Sequence, residues 1–392
     1  MSETRKEWTT TPDGLTRARG LGLAFDGRPG PHNAITDVPG VCVGYATVIQ
    51  GEGSHRYREG PVRTGVTVIL PRGSAGVGRA CAAGVYSANG NGEMTGSHWI
   101  EESGTFSTPI GITNTHAVGT VHRGIVNWIA EHHPDVAAQW QLPVVAETWD
   151  GYLNDINGDH VTHDHVYSAI EGAGSGPILE GSVGGGTGMN CYGFKGGSGT
   201  ASRRVDFGGS TYTVGVFLQA NFGSRSELRW NGVALGRDVN VPCPMETEAW
   251  FSEDRTTPGG AGSVIAIVAT DAPLLPGQAK AMARRVPFGL ARTGTSGSHF
   301  SGDIFLAFST ANDDELNSSF PDRSAEKVAL RHMSFVPWGH MDPFYEAVVQ
   351  GIEEAVLNSL CANEDMTGRS GHFSPALPHD QVVSLLSRAS GT

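Results

Sequence analysis

Apolar residues occur along the chain in short runs rich in branched side chains, a pattern typical of buried β-strands. Several of these runs are apolar at both odd and even positions. Because alternate side chains of a strand point to opposite faces, the pattern predicts a sheet that is covered on both sides by further layers. The predicted strands are residues 65–70, 143–146, 211–220, 263–269 and 303–308.

A second pattern, with apolar residues three or four positions apart, predicts helices between and after these strands. One predicted helix has its apolar positions within residues 118–129, and another has them at every fourth position of residues 344–360. Asp342 and Pro343 suit the N-cap and first turn of the latter. Residues 278–290 form a third candidate, interrupted by a proline.

The organisation of the chain is that of one unit. Residues before Leu21 are polar and irregular, so little structure is predicted there. No internal repeat and no composition typical of an interdomain linker is present. The sequence therefore predicts a single mixed α/β domain over residues 1–392.

Charge and composition exclude several classes of function. The formal net charge of -13 argues against a nucleic-acid partner, because such binding depends on clustered lysine and arginine. No stretch approaches the roughly 18 apolar residues that span a bilayer. The five cysteines are odd in number, widely spaced and without a CxxC pair, which favours reduced thiols over disulfides or structural zinc. A soluble cytoplasmic protein is predicted.

The junction between Gly262 and Ser263 is the strongest chemical candidate. A glycine-rich loop, residues 259–262, leads directly into an apolar strand whose first residue carries a hydroxyl. Glycines permit unusual backbone φ/ψ angles. A peptide bond strained in this way would be open to attack by the Ser263 hydroxyl, which forms an ester. Hydrolysis would leave Ser263 with a free α-amine, whose pKa of about 7.7 to 8.0 suits it to act as a base.

Three further segments carry polar side chains at strand ends. Ser301 and Asp303 lie two residues apart, on the same side of an extended segment. Asn221 ends a predicted strand with an amide suited to an oxyanion hole. Glu147 ends another with a carboxylate, and Trp149 follows two residues later.

Together these segments resemble a known family, that of the L-aminopeptidase/D-amino-acid esterase-amidase DmpA and the β-peptidyl aminopeptidases. The resemblance extends from about Leu21 to Gly371. Its marks, besides the segments above, are residues 30–38 (GPHNAITDV), 63–67 (RTGVT), 184–203 (GGGTGMNCYGFKGGSGTASR) and 269–274 (ATDAPL).

The resemblance implies a four-layer αββα sandwich of the DmpA/ornithine acetyltransferase type. It also implies cleavage between Gly262 and Ser263 into an α chain, residues 1–262, and a β chain, residues 263–392. The family's assembly implies a homo-oligomer of such αβ pairs. The implied substrates are short peptides, amino-acid amides or esters with L-, D- or β-amino acids, and no cofactor is implied.

The same resemblance implies roles for particular residues. Ser263 would be the nucleophile, with Ser301 and Asp303 as its supporting residues and Asn221 as the oxyanion residue. Glu147 would receive the free amino group of the substrate. Two positions depart from the family: Asp303 stands where the β-peptidyl enzymes have Glu, and Trp149 stands where Tyr is frequent. The indole of Trp149 can form a wall of the substrate pocket but lacks the hydroxyl of Tyr. The first departure leans towards the DmpA-like branch.

Three alternatives stay open. A metal-dependent hydrolase would use the His- and Asp-rich segment 155–165, whose spacing matches neither HExxH nor an EF-hand loop. A related ω-amide hydrolase or aminoacyl/acetyl transferase would keep the fold, although such proteins usually have Thr as the nucleophile. A self-cleaved assembly protein without enzymatic activity has no positive feature in its favour. Residues 184–199 lack the Gly-Lys-Ser/Thr ending of a phosphate-binding loop.

Overall fold

The fold is built from two β-sheets and the helices that cover them. The computed structural model describes residues 5–250, 262–318, 320 and 329–389. In this part of the chain, no helix is long and apolar enough to cross a lipid bilayer.

The strands and helices alternate irregularly along the chain. The strands are β1 Cys42–Gln50, β2 Val62–Leu70, β3 Cys81–Gly90, β4 Thr105–Phe106, β5 Ile110–Asn114, β6 Val144–Thr148, β7 Asn190–Cys191, β8 Phe194–Lys195, β9 Gly197–Phe207, β10 Ser210–Asn221, β11 Gly262–Thr270, β12 Ser301–Ser309, β13 Met366–Thr367 and β14 Phe373–Ser374. The helices are α1 Lys6–Thr9, α2 Ser97–Ser103, α3 Val118–His132, α4 Pro134–Ala137, α5 His163–Glu171, α6 Leu235–Asp238, α7 Pro244–Thr247, α8 Pro276–Ala283, α9 Val286–Arg292, α10 Asp342–Cys361 and α11 His379–Ala389.

The two larger sheets are both mixed. The four-stranded sheet has the order β1-β2-β5-β6, in which β5 and β6 are parallel and the other pairs antiparallel. The six-stranded sheet has the order β4-β3-β12-β11-β10-β9, in which β11 and β12 are parallel and the other pairs antiparallel. The central strands β11 and β12 are buried along almost their whole length.

Three apolar clusters separate four layers of structure. The first lies between the two sheets and contains Ile112 of one sheet and Ile265 and Ile304 of the other. The second joins the outer face of the six-stranded sheet to α8, α9 and α10, and the third joins the outer face of the four-stranded sheet to α3 and α5. This layering is the αββα sandwich that the family resemblance implies, and it explains why the predicted strands are apolar on both faces.

All five predicted strands are present, as parts of β2, β6, β10, β11 and β12. Four longer strands were not predicted, namely β1, β3, β5 and β9. Strand β9 has no apolar run because several of its buried residues are polar, namely Ser198, Thr200, Ser202 and Arg203. Their burial is supported by hydrogen bonds to other segments, such as Thr200 Oγ1 to the carbonyl oxygen of Val216 at 2.7 Å.

The predicted helices are present with two corrections. Asp342 lies inside α10 and Met341 is its N-cap, so the predicted cap is one residue too late, while Pro343 does lie in the first turn. The third candidate is two helices, α8 and α9, and the break precedes Pro287 instead of falling at it. A proline suits a first helical turn because no intrahelical hydrogen bond needs its missing N–H there.

The prediction of little structure before Leu21 is wrong. Arg17 is only 2% exposed. Its guanidinium pairs with Glu180 at 2.5 Å and donates a hydrogen bond to the carbonyl oxygen of Thr200 at 3.0 Å. A polar segment is thus packed against β9, because a buried charge is tolerated when it is paired and hydrogen-bonded.

Candidate active site

The ends of β10, β11 and β12 bring four of the predicted site residues together. Asn221, the last residue of β10, pairs with Ser263 in antiparallel register. On the other side of β11, the parallel register pairs Ser263 with Gly302, so Ser301 and Asp303 flank the position next to it. Residues of three strands, 38 to 82 positions apart in the sequence, therefore meet at one edge of the six-stranded sheet.

Ser263 lies 2% exposed at the base of a pocket of about 470 Å³. The backbone N–H of Trp149 donates a hydrogen bond to its Oγ at 3.2 Å. The pocket is lined by Gly90, Asn91, Gly92, Glu93, Thr115, Glu147, Trp149, Asn221, Met245, Gly262, Ser263 and Phe300. The candidate nucleophile thus faces a space large enough for an aminoacyl group.

Ser301 and Asp303 form a buried pair, as their spacing predicts. Ser301 Oγ donates to one carboxylate oxygen of Asp303 at 2.5 Å. Asn89 Nδ2, from β3, donates to the other oxygen at 2.9 Å. Burial raises the pKa of Asp303, and the hydrogen bonds from Ser301, Asn89 and the backbone of Val264 act in the opposite direction. The pair is therefore held in one orientation beside β11.

The Asn221 amide is fixed from both ends. Its Nδ2 donates to the carbonyl oxygen of Trp149 at 2.9 Å, and its Oδ1 accepts from the backbone N–H of Asn190 at 2.9 Å. A primary amide has two N–H groups, so one donor remains for another acceptor. Such a fixed donor beside the serine is what an oxyanion hole requires.

The glycine-rich segment of residues 184–203 positions the Asn221 amide through hydrogen bonds. Lys195 is fully buried, and its Nζ donates to the carbonyl oxygens of Met189 and Gly196, both at 2.8 Å. Burial lowers the pKa of Lys195 to about 7. These contacts fix the turn that carries Asn190, whose N–H orients Asn221.

Glu147 is a buried carboxylate that also lines the pocket, with 2% of its surface exposed. Its Oε1 accepts from the backbone N–H of Glu93 at 2.9 Å, and its Oε2 accepts from the hydroxyl of Thr115. Burial raises the pKa of Glu147, as does the nearby charge of Glu93, whereas the two hydrogen bonds and His116 lower it. The carboxylate is positioned for a cation but has no lysine or arginine partner among the described residues.

Trp149 contributes to the site mainly through its backbone. Its N–H and carbonyl oxygen contact Ser263 and Asn221, and its indole lines the pocket and stacks on Trp250 at 5.9 Å between ring centroids. That the indole forms a wall for the substrate stays a prediction. The role of its peptide group was not predicted.

The side chains of the histidine-rich segment 155–165 form hydrogen bonds within the segment and with His55. His160 Nε2 lies 2.9 Å from one oxygen of Asp155, and His55 Nε2 lies 2.8 Å from the other. His165 Nδ1 accepts from the backbone N–H of Thr162 at the start of α5. Within the described residues, no group of three or more His, Cys, Asp or Glu side chains is arranged to hold a metal ion.

Several residues of the site were missed at the sequence level. They are Asn89, Glu93, Thr115 and Asn190, and each contacts a predicted site residue. One signal was available: the sequence Asn89-Gly90-Asn91-Gly92 ends an unpredicted strand, and such residues frequently terminate strands.

Comparison with known proteins gives a consistent family. Residues 33–374 match the model of peptidase family S58. The β-peptidyl aminopeptidase BapA of Sphingosinicella microcystinivorans is 46% identical over 375 residues, which cover 95% of this chain and 92% of that protein. The BapA of Sphingosinicella xenopeptidilytica is 43% identical over 378 residues, covering 94% and 90%.

Solved structures agree with these relatives. The L-aminopeptidase D-Ala-esterase/amidase of Ochrobactrum anthropi, described as a prototype for the serine aminopeptidases and a variant of the Ntn hydrolase fold, superposes with a TM-score of 0.85 at 43% identity. That match covers 95% of this chain and 99% of the other. A β-aminopeptidase of Burkholderia sp. superposes with a TM-score of 0.84 at 41% identity, with the same coverage. The chain therefore belongs to peptidase family S58, and it is a hydrolase of the aminopeptidase class with the Ntn hydrolase fold.

Proposed function

We propose that the chain cleaves itself between Gly262 and Ser263 and then acts as an aminopeptidase whose nucleophile is Ser263. The single domain of residues 1–392 becomes an α chain, residues 1–262, and a β chain, residues 263–392. The observation that carries the proposal is the position of Ser263. It is the second residue of a buried strand, with a fixed amide on one side and a Ser–Asp pair on the other, and its hydroxyl faces the pocket.

Self-cleavage begins with attack by Ser263 Oγ on the carbonyl carbon of Gly262. The C–N bond breaks, the nitrogen takes up a proton, and the α chain is held as an ester on Oγ. Water then hydrolyses the ester, which leaves a carboxylate on Gly262 and a free hydroxyl and α-amine on Ser263. The N–H of Trp149, 3.2 Å from Oγ, orients the hydroxyl before the attack.

Turnover repeats this chemistry on a substrate. The neutral α-amine of Ser263 accepts the hydroxyl proton while Oγ attacks the substrate carbonyl, and Asn221 donates its free N–H to the negative oxygen of the tetrahedral intermediate. The leaving amine takes the proton, and water hydrolyses the acyl-enzyme. Ser301 and Asp303 lie beside β11, where they hold the amine through hydrogen bonds.

The substrates that fit are short peptides, amino-acid amides or esters with a free amino terminus. The ammonium group pairs with Glu147, a buried carboxylate without a cationic partner among the described residues. The indole of Trp149 forms a wall for the aminoacyl group. The names of the relatives favour β-amino acids as N-terminal residues, together with L- and D-amino acids. A homo-oligomer of αβ pairs in the cytoplasm remains part of the proposal.

The decisive experiment follows the chain itself. The purified protein is analysed by intact mass and N-terminal sequencing, beside Ser263→Ala and a control, Ser210→Ala, at the exposed far end of β10. We expect a second chain starting Ser-Val-Ile-Ala in the wild type and the control, and an intact, inactive chain in Ser263→Ala. A wild type that stays a single chain yet hydrolyses amino-acid p-nitroanilides would refute self-processing.

A further inference from the structure

The pocket beside Ser263 holds a second carboxylate, Glu93, next to the one that receives the amino group. The backbone N–H of Glu93 is 2.9 Å from Glu147 Oε1, and the charge of its side chain acts on Glu147. Both residues line the pocket, but Glu147 is buried whereas Glu93 is exposed at the rim. The two carboxylates of this pocket thus differ in their exposure to solvent.

Among the described residues, no positive charge in the lining balances these two carboxylates. None of the described residues that line the pocket is a lysine, arginine or histidine. His116 acts on Glu147 from outside this lining. The remaining lining side chains are two amides, two hydroxyls and the apolar groups Trp149, Met245 and Phe300. A substrate therefore enters a space in which the two carboxylates are the charged groups of the described lining, beside amide, hydroxyl and apolar side chains.

A single ammonium group neutralises only half of this charge. When the N-terminal ammonium pairs with Glu147, the charge of Glu93 remains exposed without a partner from the described part of the lining. A second cation on the same aminoacyl residue would meet it, and the net charge of -13 of the whole chain favours the approach of such a substrate. An apolar stem between the two cations suits the walls formed by Trp149 and Phe300.

We propose that Glu93 determines specificity by favouring substrates whose N-terminal residue carries a basic side chain, such as lysine or its β-homologue. The inference rests on the proposed function, because it assumes that Glu147 takes the N-terminal ammonium. Glu93 is exposed and screened by solvent, so the preference is modest. An exposed ion pair corresponds to about a threefold change in an equilibrium constant.

The test compares substrates that differ only in the side-chain ammonium. The p-nitroanilides of lysine and norleucine share one carbon stem, as do those of β-homolysine and β-homonorleucine. For each pair, the ratio of kcat/KM is measured at low ionic strength and again in 1 M NaCl. The proteins are the wild type, Glu93→Gln and the control Glu102→Gln, whose exposed carboxylate in α2 lies outside the pocket.

We expect the wild type and Glu102→Gln to prefer the basic substrate by about threefold at low salt. The ratio should approach one in Glu93→Gln, and in 1 M NaCl, where the screening length is about 3 Å. A wild-type ratio at or below one overturns the inference. An equal decrease of kcat/KM for both substrates in Glu93→Gln also overturns it, because Glu93 would then bind the N-terminal ammonium that both substrates carry.

The failure of the proposed function would give a different result. If the wild type hydrolyses none of the four substrates, the aminopeptidase assignment of the pocket falls, and the inference falls with it. If norleucine substrates are hydrolysed and the ratio does not respond to Glu93→Gln, only the inference falls.

Discussion

Replacing Gly262 by alanine tests whether the geometry of the junction allows self-cleavage. A Cβ at this position would lie 1.8 Å from the carbonyl oxygen of Asn221 and 3.2 Å from the Cα of Phe222. Both are backbone atoms, so no side-chain rotation relieves the overlap. An ordinary van der Waals contact begins near 3.4 Å, so the ends of β10 and β11 must separate by 3.4 − 1.8 = 1.6 Å.

This separation acts on the reacting atoms directly. Gly262 carries the carbonyl that is attacked, and Asn221 pairs with Ser263 in the same register. Since a misplacement of about 1 Å can lower a rate about 100-fold, we expect Gly262→Ala to process at least about 100 times more slowly than the wild type. Residues 264–269 of β11 are buried and apolar, so the variant should still fold.

The assay follows the fraction of intact chain over time by mass spectrometry after purification. Gly119→Ala is the matched control, because a Cβ there has no atom within 4 Å and alanine favours the helix α3. Circular dichroism and thermal unfolding show whether each variant keeps the fold. Processing of folded Gly262→Ala at the wild-type rate would refute the reasoning from this contact.

Three other predictions concern turnover by the processed enzyme. Asn221→Ala should lower kcat by about 100-fold to 1000-fold on a p-nitroanilide, because one oxyanion donor is lost, and an unchanged kcat would exclude that role. Glu147→Gln should raise KM for substrates with a free amino group, measured beside N-acetylated analogues that neither protein hydrolyses. On the acid side, log kcat/KM should rise with slope one where only the α-amine titrates, and more steeply at lower pH, where the carboxylates of Asp303 and Glu147, whose pKa values burial raises, are protonated as well. Asp303→Asn should lower the steepest slope by one, and an unchanged steepest slope in that variant would exclude Asp303 as a contributor.

The sequence predicted covered sheets because a strand that is buried on both faces is a continuous run of apolar residues. In β11 and β12, successive residues are apolar because one face packs on the other sheet and the opposite face packs on helices. Strand β9 has no such run, since its buried Ser198, Thr200 and Ser202 are polar. Polarity alone does not reveal whether a partner exists in the folded chain. The same reason hid the buried pair of Arg17 and Glu180.

By itself, the sequence determined what is local to the candidate site. The Gly262–Ser263 junction and the Ser301–Asp303 pair rest on neighbouring residues along a strand, and the two-residue period of a strand sets the second pair. Only the tertiary structure decided which other groups complete the site. The contact from the Trp149 N–H to Ser263 spans 114 positions, and that from Asn89 to Asp303 spans 214. Such contacts depend on how two sheets pack and on strand register, which short-range patterns along the chain do not encode.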